Sequence, residues 1–215
     1  MIRNNVFETI CFYDIMNRTI RYGEKMNNSN NRGVDMKKLL KQMIIDSINT
    51  WTADDIYAVS LFVYDDEDDP MKPTVTLGYN TESQVSEALK TGFTDDEEAR
   101  WNYAFWLQNS SFVFGTDDTA DTVKSWAVSN GFGPDGDGDM NEDEYGVPEI
   151  TRAFVNELVG IVREIHEERV LTIKFGKELP ILIHELEYYE EIAEQNIRAN
   201  GEELVSEFAE WCRCF

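Results

Sequence analysis

Two apolar segments on either side of an acidic run are the clearest feature of the hydrophobic pattern. Residues 56–64 are rich in β-branched and aromatic side chains, and residues 74–79 resume the same composition. Between them, residues 65–70 hold a run of carboxylates and a proline, which cannot continue a strand. The pattern therefore predicts an antiparallel hairpin at the centre of a sheet, with the other elements packed over it.

Apolar residues at helical spacing predict most of the remaining elements. The longest predicted helix starts near Pro148 and runs to about Glu168, and we expect it to lie across the sheet. The other predicted helices cover residues 36–51, a short segment between Ser83 and Gly92, a segment from Asp117 or Asp118 to Asn130, and residues 187–199 and 202–212.

Short apolar runs predict further strands at residues 111–114, 169–175 and 180–184. In residues 100–107 the aromatic side chains alternate as in a strand at first, but Trp106 and Leu107 break the alternation. That segment is therefore interpreted as either a strand or an irregular turn. Strands that neighbour each other in sequence, with helices grouped between them, are typical of the α+β class. The sequence predicts an α+β fold with a mainly antiparallel central sheet and helices packed over it.

The first 35 residues differ from the rest of the chain. Residues 1–35 are slightly basic and contain a polar asparagine-rich tract, whereas the acidity of the protein begins at Met36. One hypothesis is that translation naturally starts at Met36, since Arg32-Gly33 can be encoded by a purine-rich ribosome-binding sequence. The alternative is an N-terminal arm that docks through its apolar side chains. Either way, residues 36–215 are expected to form a single α+β domain.

The charge of the chain excludes some partners. With 215 residues and a net charge of −23, the surface repels nucleic acid and anionic membranes and suits a basic protein partner. No apolar run approaches the roughly 20 residues needed to cross a bilayer. The cysteines Cys11, Cys212 and Cys214 form no disulfide or zinc pattern. We therefore expect reduced thiols and a cytoplasmic protein of bacterial type.

An aspartate-rich loop is the candidate metal site. Asp135, Asp137, Asp139 and Asp143 are spaced like the first ligands of a calcium loop, because a hard cation needs several oxygens from one turn. Met140 stands where that loop requires glycine, and Gly146 stands where it requires a bidentate glutamate. A solvated acidic loop is the alternative, and it could still hold an adventitious calcium ion. No cofactor is expected.

The segment around Arg100 is the candidate binding site. Arg100, Trp101 and Trp106, with Tyr57 on the preceding hairpin, combine a guanidinium with aromatic faces, which can hold a planar or anionic group. The alternative is that the aromatic side chains fill the core under the hairpin and that Arg100 pairs with a carboxylate. Neither His166 nor His184 belongs to a recognisable catalytic motif.

Three short motifs resemble a known bacterial family. Tyr57-Ala58 with Leu61, then Asn80-Thr81-Glu82, then Arg100-Trp101 with Ala104 and Trp106 resemble the domain-of-unknown-function family 4303. The resemblance covers residues 36 to about 212, and it departs from the family at Asn102-Tyr103 and Phe105. It implies a single cytoplasmic domain without a known reaction.

Two functions follow as expectations. The first is a non-enzymatic acidic binding protein, of which an immunity protein that neutralises a basic toxin is one version. The second is an uncharacterised enzyme or small-ligand binder that uses the segment from Arg100 to Trp106.

Overall fold

The structure is a computed structural model and describes residues 35–132 and 146–214. Within those residues its helices and strands are, in chain order, α1 (Met36–Thr50), β1 (Ile56–Asp65), β2 (Pro73–Thr81), α2 (Glu82–Lys90), α3 (Asp96–Trp101), β3 (Phe112–Phe114), α4 (Asp117–Ser129), α5 (Glu149–Glu167), α6 (Val170–Phe175), β4 (Ile181–His184), α7 (Glu190–Asn200) and α8 (Glu202–Cys212). The prediction for the first 35 residues lies almost wholly outside the described part, as does the calcium-loop prediction.

The predicted hairpin at the centre of the sheet is confirmed. Strands β1 and β2 pair antiparallel, with Val59 opposite Tyr79 and Val63 opposite Val75, and the strand order is β3-β2-β1-β4. The acidic turn contains a 3-10 segment in which Glu67 has a φ of 58° and Asp68 a φ of 55°. Aspartate tolerates this left-handed conformation better than most residues because its short side chain can hydrogen-bond locally.

Within the described residues the sheet has two antiparallel strand pairs and one parallel pair, so the prediction of a mainly antiparallel sheet is confirmed, and only the parallel pairing of β4 was not predicted. Strand β4 pairs parallel to β1, with Val59 opposite Ile181 and Leu61 opposite Ile183. A parallel pair needs a long connection between its two strands. Here the chain between β1 and β4 contains β2, β3 and the helices α2 to α6. Because the local pattern of β4 is the same for either strand direction, the sequence could not distinguish the two. The arrangement remains α+β.

The predicted strand at residues 169–175 is wrong, because this segment forms helix α6. Arg169 adopts a φ of 57°, which ends α5, and the chain then makes a short helix that Gly176 ends at a φ of 74°. Only Leu171 of this helix is buried, whereas Ile173 remains 80% exposed. A short apolar run does not distinguish a strand from a helical turn by its period.

The aromatic segment after α3 forms a turn and not a strand. Helix α3 ends at Trp101, and residues Tyr103–Phe105 form a 3-10 turn. The side chain of Asn102 caps this turn, since its Oδ1 accepts a hydrogen bond from the backbone N–H of Ala104 at 3.0 Å. The cap directs Trp106 back towards the sheet, where it is buried.

Helices cover both faces of the sheet. Val59, Leu61 and Val63 point into a core that also contains residues of α1, α4, α5 and α6, including Leu40, Val123, Phe154, Leu158 and Leu171. Tyr57 and Ala58 belong to a second core with α2, α3, α7 and α8, including Val85, Trp101, Ile192 and Phe208. The side-chain alternation from Ala58 to Val63 separates the two cores, and the irregular register between Ile56 and Ala58 places Tyr57 beside Ala58 in the second core.

Asparagine side chains of α7 cover the outer edge of β4. Asn196 accepts a hydrogen bond from the N–H of Ile183 at 2.8 Å and donates one to its carbonyl at 2.7 Å. Asn200 does the same with Ile181, at 2.8 Å and 3.0 Å. Two primary amides therefore satisfy the backbone groups that an edge strand would otherwise leave unpaired.

Candidate functional site

The guanidinium of Arg100 is engaged by groups of the protein itself. Its Nη1 and Nη2 donate to the two carboxylate oxygens of Glu82 at 3.0 Å and 2.8 Å, and its Cζ lies 4.7 Å from the ring centre of Tyr57. The hydrogen bond to Glu82 raises the pKa of Arg100. The Arg100 side chain is 23% exposed, so this ion pair lies at the protein surface. Both its donor fork and one face of its plane are occupied.

The other predicted binding residues lie beneath it in the second core. The carbonyl of Arg100 accepts hydrogen bonds from the hydroxyl of Tyr57 at 2.5 Å and from the indole N–H of Trp106 at 2.9 Å. Asn80 donates to the same hydroxyl at 2.9 Å, and burial raises the pKa of Tyr57. Trp101 and Trp106 are buried. The structure therefore brings the four residues together, but in a packed cluster and not around a cleft.

A buried serine–histidine pair was missed by sequence reasoning. The Oγ of Ser60 lies 2.8 Å from Nε2 of His184, and Nδ1 of His184 lies 3.1 Å from the carbonyl of Glu185. A carbonyl can only accept, so Nδ1 carries the proton and Nε2 accepts from the Ser60 hydroxyl. The two residues are 124 positions apart and meet through the β1–β4 register, for which no local signal exists.

The pair is closed off by aromatic rings. The rings of Phe62, Tyr103 and Trp106 lie 5.7, 5.0 and 5.7 Å from the His184 ring, between centres. Burial lowers the pKa of His184 to about 4, so the imidazole is neutral at physiological pH. Ser60 and His184 are each only 2% exposed. The arrangement resembles a nucleophile with its base, but in this conformation it has no access to a substrate.

The first surface cleft lies where β1 and β4 end. This strand-end cleft has a volume of about 290 Å³, and its walls include Phe62, Tyr64, Asp65, Glu185 and Glu187. The hydroxyl of Thr151 donates to Asp65 at 3.0 Å, and burial raises the pKa of that carboxyl. The cleft combines aromatic surface with carboxylates.

The second surface cleft lies between the hairpin turn and α4. This hairpin–α4 groove has a volume of about 500 Å³. Its apolar walls are Met71, Val123, Ala127, Val128 and Phe132, and its charged rim consists of Asp66, Asp69, Lys72, Asp117, Asp121 and Lys124. None of the residues predicted from sequence as a binding site lines it. The acidic turn of the hairpin, by contrast, forms one of its sides.

The cysteines at the C-terminus are free thiols. Cys212 is buried and Cys214 is exposed. Burial raises the pKa of Cys212 to about 12, so this thiol stays protonated and unreactive at neutral pH.

The predicted calcium ligands Asp135, Asp137, Asp139 and Asp143 lie outside the described residues. Across residues 35–132 and 146–214, no three histidine, cysteine, aspartate or glutamate side chains are grouped to hold a metal ion. In the same two ranges, every helix is too short or too polar to span a membrane.

Comparison of the chain with protein-family models, with curated proteins and with solved structures found no match. The resemblance to the bacterial family therefore stays a prediction that depends on the three short motifs.

Proposed function

We propose that this chain is a non-enzymatic acidic protein that binds a basic protein partner. The observation that carries the proposal is the chemistry of the two surface clefts, both of which place carboxylates beside apolar or aromatic surface. A basic partner with apolar side chains complements both parts of such a cleft. An immunity protein that neutralises a basic toxin is one version of this function.

The net charge of −23 supports the same proposal. A strongly acidic surface attracts a basic partner over a distance of about a Debye length and orients it before contact. The charge-complementary surfaces then favour that partner over acidic competitors, because like charges brought together cost several kcal/mol. The segment from Arg100 to Trp106 contributes less to this proposal, because Glu82 and Tyr57 already occupy the guanidinium.

The proposed function is tested by affinity capture, in which the immobilised full chain retains proteins from an extract of its native source at low and at high salt. We expect a specific basic protein to be retained at about 50 mM salt and to be largely released near 0.5 M, because screening weakens attraction between exposed charges. Retention of acidic or neutral proteins alone, or retention indifferent to salt, would contradict the proposal.

A further inference from the structure

The hairpin–α4 groove is the larger of the two clefts described above, and apolar side chains form its base and sides. Val123 and Ala127 are each 2% exposed and form its base, whereas Val128 and Met71 are 53% and 39% exposed at its sides. Its volume of about 500 Å³ falls in the range of ligand-binding pockets in proteins. Exposed apolar surface of this kind inside a concave site favours a partner that brings apolar side chains.

The rim of the groove is acidic on both sides. On the hairpin side, Asp66 and Asp69 belong to a turn whose only cation, Lys72, is held by Glu67 and lies 3.7 Å from Asp69. On the α4 side, Asp117 and Asp121 are exposed, and within the described residues no hydrogen bond or ion pair engages either side chain. Lys124 reduces but does not cancel this charge. The carboxylates available for a ligand therefore outnumber the free cations.

We infer that the hairpin–α4 groove binds a basic polypeptide segment. Apolar side chains of the segment pack against Val128 and Met71, and its lysine or arginine side chains pair with Asp117 and Asp121. This inference deepens the proposed function and rests on it, since it assigns the basic partner to one surface. Charge complementarity selects this occupant: a nucleic acid or an acidic peptide would bring anions to an acidic rim. The exposed apolar side chains of Val128 and Met71 favour a polypeptide over a simple polyamine.

The experiment is a titration of the ¹⁵N-labelled full chain with a short synthetic peptide that alternates lysine and leucine. We expect amide shift changes to concentrate in the turn around Asp69 and in α4. A peptide with glutamate in place of lysine should cause none. A peptide with serine in place of leucine should bind at least about tenfold more weakly, because it leaves the apolar walls uncovered.

The matching variant neutralises the free carboxylates of α4. Asp117→Asn with Asp121→Asn should weaken binding of the lysine–leucine peptide about five- to tenfold. Asparagine is chosen because residue 117 has a φ of 43°, a conformation that asparagine tolerates. Val128→Ser should weaken binding by a comparable factor without touching a charge.

A matched control lies on the opposite face of the sheet. Glu203→Gln with Glu207→Gln removes the same charge at the same helical spacing from exposed positions of α8, and Glu203, like Asp117, lies in the first turn of its helix. The control therefore reproduces the change in net charge and the change at the helix N-terminus. We expect it to alter peptide affinity by less than about twofold.

Several outcomes would overturn the groove as the binding surface. They are an equal loss of affinity in the α4 and α8 variants, shift changes confined to the strand-end cleft, or no binding of the lysine–leucine peptide. If salt-dependent capture of a basic protein persists in these cases, the proposed function stands and only its location is wrong. If that capture also fails, the proposed function itself is wrong.

Two other occupants would also contradict the inference. A second copy of the chain would appear as a dimer in sedimentation velocity that Val128→Ser abolishes. If the slightly basic residues 1–35 occupied the groove, carbodiimide treatment of the full chain would cross-link Lys25 to Asp117 or Asp121. Either result would mean that the chain itself covers the groove.

Discussion

His184 shows at the residue scale how burial decides chemistry. In the unfolded chain the pKa of the His184 imidazole is about 6.5. In the folded protein, burial among aromatic rings lowers this pKa to about 4. Between those two values the unfolded state binds more protons than the folded state. The contribution of neutral His184 to the free energy of unfolding is therefore fully present above about pH 6.5, and it is lost as the pH falls towards 4.

We therefore expect the free energy of unfolding of the wild type to fall by up to ~3 kcal/mol, relative to His184→Gln, between pH 6.5 and pH 4. Glutamine can keep a hydrogen bond to Ser60 without taking up a proton in this range. Urea unfolding of both proteins over the pH series measures the difference, in which the shared carboxylates cancel. Parallel pH profiles for the two proteins would show that His184 is not the buried neutral group described above.

The buried pair of Ser60 and His184 also marks a limit of sequence reasoning at this scale. Arg100, Trp101 and Trp106 could be grouped because they are close in sequence, whereas Tyr57 was linked to them by the family resemblance; the structure does bring the four together. That a carboxylate pairs with Arg100 was one of the two alternatives, and only the identity of that carboxylate, Glu82, could not be supplied by the sequence. Side chains far apart in sequence meet only through strand register and helix placement, and single-sequence periodicity contains neither.

The pairing of α7 with the edge of β4 is the most specific feature at the scale of elements. Four residues along a helix rise about 6 Å and two residues along a strand about 6.6 Å, so amides at positions 196 and 200 match alternate residues of β4. Asn196 and Asn200 thus replace the next strand of the sheet at this edge.

Asn196→Ala should destabilise the protein by about 2–3 kcal/mol, because it removes both hydrogen bonds to Ile183 and leaves its buried N–H unsatisfied. Arg198→Ala, on the exposed side of the same helix, is the control and should stay within about 0.5 kcal/mol of the wild type. Thermal and denaturant unfolding provide both values. A loss at Asn196 no larger than at Arg198 would mean that α7 does not protect the strand edge.

The elements also divide into those that the sequence could predict and those that it could not. The hairpin and the longest helix, α5, follow from strong patterns, the run of β-branched and aromatic side chains in residues 56–64 and the helical repeat from Ile150 to Ile165. Helix α6 and the direction of β4 do not. The first is too short for a period to be recognised, and the second depends on a crossover whose geometry is set by packing.

At the scale of the whole molecule, the charge of the surface and the form of its clefts act together. The net charge of −23 acts over a long range, whereas the apolar walls of the hairpin–α4 groove act only on contact. Charge then governs how fast a basic partner arrives, and the groove governs how long it stays. A kinetic experiment therefore measures the two contributions separately, the charge through the association rate constant and the groove through the dissociation rate constant.

The association rate constant of the captured basic partner, measured by stopped flow as a function of ionic strength, tests whether the acidic surface attracts that partner before contact. We predict that it falls at least about tenfold between 20 mM and 500 mM salt, while the dissociation rate constant changes much less. An association rate constant that is independent of salt would contradict capture by the acidic surface.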